Sequence, residues 1–248
     1  MTGTPLLIAD ILERTGLVRA GMSTRRGGVS RPPLGMNLSL NVGDEPEHVA
    51  ENRRRFLGAL GATPDRLALP GQVHGPGVRS VHLPGHYPEC DALMTDVPGL
   101  VIAVTVADCV PILMVDPVRR VIAAIHAGWR GTASGIVRAA VAALQEGYRV
   151  SPADLLVWIG PAASVCCYTV GDDVASRFPP DEVHRRTDGV YVDLKSANRA
   201  ALLDCGIPEA SVEVSPLCTI SEVRLLHSYR RDGARSGRMM AALTLAFR

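Results

Sequence analysis

The sequence lacks the features of several easily recognised protein classes. Aromatic residues make up only 4% of its 248 residues, so the interleaved aromatics of a single-strand stacking platform are missing. No uninterrupted apolar run reaches the length of a transmembrane helix. The 26 basic and 25 acidic residues leave a formal net charge of +1, unlike the strongly basic balance of a general nucleic-acid binder. We therefore expect a globular protein with no membrane or nucleic-acid partner.

The cysteines and histidines also lack several diagnostic patterns. Residues 1–17 have no basic n-region of a secretory signal, and the six cysteines include no CxxC pair. Cys166 and Cys167 are adjacent and cannot easily bridge to each other. Reduced thiols in a cytoplasmic protein are therefore predicted. No two of the seven histidines are separated by a single residue, which argues against a multicopper cluster.

The remaining pattern predicts a fold that is α+β or mixed α/β. Hydrophobic residues make up 47% and charged residues 21% of the chain, which are values of globular proteins. Strand patterns outnumber helix patterns and occur in neighbouring groups, so we expect a single domain over residues 1–248, with a mixed sheet and flanking helices. Helices are predicted at 46–60, 132–146 and 194–205, and strands at 18–24, 66–73, 78–83, 100–107, 111–115, 121–125, 155–159, 212–217 and 239–246.

Chemically capable side chains follow two neighbouring apolar strands. Asp108 and Cys109 come directly after the strand at 100–107, and His126 comes directly after the strand at 121–125. Taken singly, a free cysteine is more often a small buried hydrophobe, and a histidine is more often a core residue. Because ligand sites tend to form at strand ends, the combination favours a functional site.

Two chemistries use this pair of residues. In one, the Cys109 thiolate is a nucleophile and His126 is its base. In the other, both are metal ligands, a donor set that suits zinc and that copper also accepts. A catalytic zinc site needs a third protein ligand, for which His74 is the candidate. The spacing leaves both chemistries open, because these residues are far apart in the sequence.

A candidate anion site follows His126. Backbone N–H groups and hydroxyls gather at the start of the predicted helix, with Arg130 beside them. They come from Gly128, Gly131, Thr132 and Ser134. Simple capping of the helix by Thr132 explains the same residues equally well. Further arginines cluster at residues 25–26 and 230–238; most are interpreted as surface residues, and one or two as ligands for phosphate or a carboxylate.

Five segments make the chain recognisable by their order and composition. They are Gln72–Gly75, Ala107–Pro111, His126–Thr132, Gly160–Gly171 and Ser228–Asp232. The chain resembles the YfiH/YlmD-like family, long labelled polyphenol oxidase or laccase-domain proteins and later assigned purine nucleoside phosphorylase and adenosine deaminase activities. The string His-Ala-Gly-Trp-Arg-Gly-Thr at 126–132 is highly specific, and the resemblance runs from Ser23 to Arg238.

This resemblance implies a zinc ion held by His74, Cys109 and His126, with copper as the alternative metal. It implies phosphorolysis of adenosine, inosine and methylthioadenosine, adenosine deamination, and a fold related to toxin deamidases that use a Cys–His pair. The partners would be purine nucleosides and phosphate, and the protein would be a monomer. Asp108, Cys109 and His126 would be catalytic, with Asp108 as a candidate proton shuttle. Substrate or phosphate contacts are expected from Ser23, Arg25, Asn37, Gln72, Arg130 and Arg230.

Other functions compete with this one. A copper-dependent polyphenol oxidase and a Cys–His hydrolase acting on peptidoglycan precursors are the alternative enzymes, and a non-catalytic binding module is the alternative class. The chain also departs from the family pattern, with His227 where phenylalanine is usual and Ser236 where threonine is usual. The first departure places an additional imidazole in a segment that the resemblance associates with the site.

Overall fold

The apolar segments of the sequence pair into two large mixed sheets in the computed structural model, which describes residues 4–247. The first sheet has the spatial order β1 (Leu6–Ile8), β2 (Val18–Ser23), β15 (Met239–Leu245), β7 (Val101–Val106), β3 (Leu67–Pro70) and β5 (Gly85–Tyr87). The second has the order β14 (Val212–Val214), β10 (Leu156–Ile159), β8 (Val110–Asp116), β9 (Val121–Ala127), β6 (Ala92–Thr95) and β4 (Val78–Ser80). A small third sheet contains β11 (Thr169–Val170), β13 (Gly189–Val192) and β12 (Val183–Arg186).

Most neighbouring strands in these sheets are antiparallel. The parallel pairs are β3 with β5, β3 with β7, β4 with β6, and β10 with β14. The α-helices are α1 (Asp10–Glu13), α2 (Pro46–Ala59), α3 (Trp129–Ala133), α4 (Ile136–Tyr148), α5 (Asp172–Ala175), α6 (Leu194–Asp204) and α7 (Tyr229–Asp232). Among residues 4–247, no helix combines the length and the apolar composition needed to cross a bilayer.

The two large sheets pack face to face between layers of helices. Val104 of the first sheet and Leu113 of the second belong to one buried apolar cluster. On the outer face of the first sheet, Phe56 of α2 packs in a cluster with strand residues of β7 and β15. On the outer face of the second sheet, α4 and α6 contribute residues such as Leu144 and Leu202 to the largest cluster. The result is a four-layer α/β/β/α arrangement whose interior is mainly aliphatic, in keeping with the scarcity of aromatics.

One connection between the two sheets positions the chemically capable residues. β7 lies in the first sheet, and β8, which begins only a few residues later, lies in the second. The bend between them contains Asp108 with a φ of +100° and Cys109. In the second sheet β8 pairs with β9 so that Pro111 is opposite His126. The antiparallel register therefore brings the bend at Cys109 close to His126.

The structure confirms the mixed α/β fold with flanking helices, and it divides the predicted sheet in two. Helices α2 and α6 lie where the sequence predicts them. The single helix predicted at 132–146 is instead two helices, because Gly135 adopts a left-handed φ of +78° between α3 and α4. His126 lies inside β9 rather than after its end. Strand β6 was not predicted, since a fully buried four-residue strand shows no alternation of polar and apolar residues.

The unusual imidazole of His227 does not line any cavity described below. Its side chain is fully buried, and neither ring nitrogen has a hydrogen-bond partner. A Cβ atom at Gly237 would lie only 2.6 Å from its Nε2 atom, which shows how tightly the ring is enclosed. Burial, assisted by the nearby charge of Arg25, lowers the pKa of His227 to about 4. The ring is therefore an uncharged side chain with two buried, unsatisfied nitrogens.

Replacing His227 with phenylalanine should stabilise the protein. Removing two unsatisfied buried polar atoms is expected to raise the free energy of unfolding by about 1–3 kcal/mol at neutral pH. Because the folded-state pKa of His227 lies below its unfolded value of 6.5, protonation favours the unfolded chain as the pH falls. Between pH 7 and pH 4, the wild-type chain should lose about 3 kcal/mol more than H227F.

Urea unfolding followed by circular dichroism at several pH values measures this difference. The control is His184→Phe, because His184 is an exposed histidine and no burial penalty is removed there. Equal or lower stability of H227F at every pH would contradict the prediction.

Candidate metal and substrate site

Three residues that are distant in the sequence converge where the two large sheets meet. His74, Cys109 and His126 each offer a nitrogen or sulfur atom, and these atoms all lie within 4.8 Å of one another. The Cys109 Sγ atom lies 4.0 Å from His74 Nε2, and the two imidazole rings meet edge to face with centroids 4.8 Å apart. The structure thus brings together the three residues that the sequence predicts as metal ligands.

A buried carboxylate, that of Asp91, fixes both histidines. Its two oxygens accept hydrogen bonds of 2.9–3.0 Å from the backbone N–H groups of Val73, His74 and Gly75. The same carboxylate lies 2.8 Å from the Nδ1 atom of His126. Because Nδ1 donates its hydrogen to this carboxylate, the Nε2 atom of His126 is free to act toward Cys109.

The loop that carries His74 is also tied to the first sheet. Gln72 and His74 both adopt left-handed backbone conformations, with φ of +53° and +62°. The Gln72 side chain donates to the carbonyl of Thr105 and accepts hydrogen bonds from its N–H and hydroxyl groups. This paired contact with β7 and the carboxylate of Asp91 together hold a loop conformation that non-glycine residues adopt infrequently.

Cys109 and His126 form a strongly coupled pair. Burial opposes ionisation of Cys109, but attraction to His126 and hydrogen bonds from both histidines outweigh it and lower the pKa of the thiol to about 6. Burial likewise opposes protonation of His126, but Cys109 and Asp91 outweigh it and raise the pKa of the imidazole to about 9. The two shifts have one cause, since a thiolate at Cys109 and an imidazolium at His126 stabilise each other.

Asp108 occupies a structural position beside this cluster. One oxygen of its carboxylate accepts a hydrogen bond of 2.7 Å from the Thr219 hydroxyl. The other accepts one of 2.6 Å from the backbone N–H group of Arg230. Its backbone carbonyl accepts a further hydrogen bond from Ala163. The carboxylate thus joins the β7–β8 bend to two distant segments and has both oxygens engaged.

A cavity of about 810 Å³ opens onto the three-donor cluster. This volume is within the range of pockets that hold small molecules. Two arginines, Arg53 and Arg238, line it together with His86. Two large side chains on its wall, Leu40 and Tyr229, are each 54% exposed. The cavity therefore combines metal-ligating, cationic and apolar surfaces.

Of the six residues predicted to contact substrate or phosphate, only Gln72 lines this cavity. Ser23 and Asn37 are fully buried and bind backbone groups of Met240 and Arg238 respectively. The guanidinium of Arg25 donates to the carbonyls of Val223 and Pro33, that of Arg230 donates to the carbonyl of Thr169, and that of Arg130 stacks on the Trp129 ring at 4.3 Å. These five residues make other contacts in the structure and are not among those that line the cavity.

The anion site predicted at residues 128–134 does not form as a single helix N-terminus. Thr132 lies within the five-residue helix α3, where its N–H group donates to Gly128. Its hydroxyl accepts a hydrogen bond of 3.0 Å from the Asn198 amide. Ser134 donates its N–H group to Arg130. Thr132 is therefore not a helix cap, because it lies inside α3, whose N-cap residue is Gly128.

Sequence reasoning missed Asp91 and Arg53 of this site. Asp91 had one available signal, since it is an acidic residue that directly precedes a buried apolar strand, where a charge needs partners. Arg53 lies on a predicted helix, but periodicity does not reveal that its side chain reaches a cavity. Tyr229 and Arg238 lie in the segment 228–238 that the sequence singles out, but the sequence does not identify Arg238 as the arginine of that cluster that lines the cavity.

Comparisons with known proteins agree with this architecture. The family described as "Multi-copper polyphenol oxidoreductase laccase" matches residues 19–246. The chain is 39% identical to "Purine nucleoside phosphorylase YlmD" of Geobacillus stearothermophilus, covering 90% of this chain and 88% of that protein. It is also 39% identical to a "Purine nucleoside phosphorylase" of Deinococcus radiodurans, covering 98% and 94% of the two chains.

Solved structures show the same relationship. The crystal structure of YlmD from Geobacillus stearothermophilus matches with a TM-score of 0.89 at 38% identity, covering 93% of this chain and 92% of that one. The crystal structure of Bacillus licheniformis YfiH matches with a TM-score of 0.91 at 34% identity, covering 98% and 97%. These matches confirm the resemblance to YfiH and YlmD proteins, whereas the relation to toxin deamidases stays a prediction. The chain therefore belongs to the laccase-domain family whose relatives include the YlmD and YfiH proteins.

Proposed function

We propose that this chain is a zinc-dependent purine nucleoside phosphorylase that accepts adenosine, inosine and methylthioadenosine. The observation that carries the proposal is that one cavity contains both the three-donor cluster and two arginines. A nucleoside and inorganic phosphate must bind next to each other in one cavity to react. The two arginines provide positive charge for the phosphate, and the three-donor cluster lies in the same cavity. The names of the relatives given above support the same reaction class.

The donor set fits a zinc ion. Two imidazoles and one thiolate are ligands that zinc prefers, and copper also accepts them. Gly128 leaves the space beside these donors open, because a Cβ atom there would lie 2.9 Å from His74 Cδ2 and 3.0 Å from Cys109 Sγ. A zinc ion held by His74, Cys109 and His126 would supply Lewis-acid chemistry at this end of the cavity.

The cavity arginines are better placed to bind phosphate than the three arginines predicted from the sequence. Arg238 is half-buried, and its guanidinium donates to the carbonyls of Ser236 and Gly237 and stacks on Tyr229 at 5.3 Å. These contacts fix the orientation of the guanidinium group toward the cavity that it lines. A partly desolvated, oriented guanidinium is a strong ligand for phosphate oxygens.

The reaction requires one substitution at the ribose. A phosphate oxygen forms a bond to C1′ while the bond from C1′ to the purine nitrogen breaks. The electron pair of that bond leaves with the purine, which takes up the proton that the phosphate loses. The products are the free base and the sugar 1-phosphate, which is ribose 1-phosphate from adenosine or inosine and 5-methylthioribose 1-phosphate from methylthioadenosine. In this scheme Arg238 and Arg53 hold the attacking phosphate, and Tyr229 and Leu40 offer apolar contact to the nucleoside.

Adenosine deamination is a second activity that the family resemblance implies for the same site. It requires water to replace the amino group at C6 and a group that shuttles the proton. Asp108 is the predicted shuttle, but both of its oxygens accept hydrogen bonds from other residues. We therefore include deamination as a separate measurement in the experiment below.

A thiol hydrolase is the alternative that a specific observation favours. Cys109, His126 and Asp91 stand in the order of a nucleophile, its base and the carboxylate that orients the base. Such an enzyme would lose activity on thiol alkylation of metal-free protein and would release no base in a phosphate-dependent way. A multicopper oxidase has less support, because the described part of the chain gathers histidines into only one metal-ligating group.

Purified, metal-quantified protein should release purine from nucleosides only when phosphate is present. Each of adenosine, inosine and methylthioadenosine is incubated with and without phosphate. Free base, the matching sugar 1-phosphate and, for adenosine, inosine are measured by chromatography. Cys109→Ser should lower the rate by roughly 100-fold or more, since changes even outside the ligand shell cost 10–100-fold. Cys205→Ser is the matched control. Equal base release without phosphate would contradict phosphorolysis, and full activity of C109S would contradict the site.

Arg238→Met should weaken phosphate binding selectively. Loss of a charge-assisted contact is expected to raise the KM for phosphate about 10-fold or more, with a much smaller change in the KM for nucleoside. Steady-state kinetics with phosphate varied at saturating nucleoside measure this effect, and Arg235→Met provides an exposed control from the same segment. An unchanged KM for phosphate would remove Arg238 from the phosphate site.

Asp91→Asn should weaken metal binding without removing a ligand. The carboxylate accepts hydrogen bonds from three backbone N–H groups of the His74 loop and from the Nδ1 atom of His126. An amide has only one acceptor oxygen and cannot accept all four, so the loop and the His126 ring lose their fixed orientation. Zinc affinity, measured by competition with a chromophoric chelator, should fall about 10–100-fold. Asp96→Asn is the control, because Asp96 is an exposed carboxylate whose nearest histidine is also exposed. Unchanged affinity in D91N, in a variant that folds normally by circular dichroism, would refute the positioning role.

A further inference from the structure

A second group of metal-ligating side chains lies away from the cavity. The Sγ atoms of Cys166, Cys167 and Cys218 all lie within 4.8 Å of one another. Cys166 is exposed, Cys167 is partly exposed and Cys218 is buried, so the group runs from the surface into the protein. The proposed function uses none of these three thiols.

The backbone brings the two adjacent cysteines to the same side. In an extended strand neighbouring side chains point in opposite directions, but residues 165–167 form a turn. Within this turn the N–H groups of Cys167 and Tyr168 both donate to the carbonyl of Ser164. The Sγ atoms of Cys166 and Cys167 consequently lie 2.9 Å apart and face Cys218 together.

Cys218 is held as the innermost donor of the group. A β-bridge pairs it with Ala162, and its sulfur accepts a hydrogen bond of 3.4 Å from the Ser164 N–H group. The backbone N–H groups of Ser221 and Ile220 also lie near this sulfur atom. Backbone N–H groups aimed at a sulfur atom stabilise a thiolate, which is the form that binds a metal.

A buried cation stands next to this group. The Lys195 ammonium is 8% exposed and donates to the carbonyls of Ser215 and Leu217, just before Cys218 in the chain. The carboxylate of Asp193 and the sulfur atoms of Cys218 and Cys166 all act electrostatically on this ammonium group. Three thiolates and one divalent cation carry one net negative charge, and Lys195 offsets part of the negative charge in this region.

We propose that Cys166, Cys167 and Cys218 form a second metal site, which takes a thiophilic divalent cation of the zinc class. The three sulfurs supply the soft donors, Lys195 offsets part of the negative charge, and the exposed Cys166 gives the ion a route of entry. A monovalent ion such as copper(I) would leave an additional negative charge uncompensated.

The second site is joined to the first through Asp108. The Thr219 hydroxyl, next to Cys218 in the chain, donates to the Asp108 carboxylate, and the Ala163 N–H group donates to the Asp108 carbonyl. Both segments of the thiol group therefore contact the residue that immediately precedes Cys109. An ion bound to the three thiols would hold these segments in place without touching the substrate cavity.

Cadmium binding to the full-length reduced protein tests the proposal. Cadmium substitutes for zinc, and its ultraviolet thiolate-to-metal absorption increases with the number of sulfur ligands. The titration is performed in the Cys109→Ser background, which removes the sulfur of the first site, under anaerobic conditions with a non-thiol reductant. We expect one equivalent of cadmium with strong thiolate absorption, together with a rise in the thermal unfolding midpoint.

Removing one further sulfur identifies the ligands. Adding Cys166→Ser should weaken cadmium binding by more than about tenfold and reduce the thiolate absorption, as should Cys218→Ser, whereas adding Cys205→Ser should change neither. Cys166 is exposed, so C166S keeps the test valid if the buried C218S variant fails to fold. The proposal is overturned if the parent shows no multi-thiolate absorption, or if C166S binds cadmium as the parent does.

Discussion

The hydrogen bonds to the Asp91 carboxylate are the interaction on which the site depends. A buried carboxylate is costly unless its oxygens are fully paired, and here three backbone N–H groups and one imidazole satisfy them. Burial raises the pKa of Asp91, but these partners outweigh it and keep the pKa below its usual value. The carboxylate therefore remains charged, and its hydrogen bonds offset the cost of burying that charge.

The same carboxylate links parts of the chain that otherwise have little in common. It directly precedes β6 of the second sheet, whereas the loop that it organises follows β3 of the first sheet. Its contact with His126 selects which imidazole nitrogen faces the cluster. One residue thus sets the conformation of the His74 loop and the tautomer of His126. The donor atoms are consequently placed by contacts outside the cluster itself.

Much of the fold and part of the site could be predicted from the sequence. Long apolar strands such as β7 and β9 are predicted from their continuous runs of apolar residues. Cys109 and His126 are identified because they lie at or just beyond the ends of these predicted strands. Short strands such as β6 carry no periodic signal, so the division into two sheets could not be predicted. Arginine function was the weakest prediction, because residue type does not reveal which carbonyls a guanidinium will meet. Arg25 and Arg238 both donate to backbone carbonyls, but only Arg238 of the two lines the cavity.

The position of Cys109 on the connection from β7 to β8 has a mechanical consequence. His74 follows a strand of the first sheet, His126 belongs to the second, and Cys109 lies on the link between them. An ion held by these three residues would therefore act as a cross-link between the two halves of the sandwich. Small sliding movements of one sheet over the other would change the donor separations directly. Aliphatic residues deep between the sheets, far from any substrate, would in this way tune the affinity of the centre.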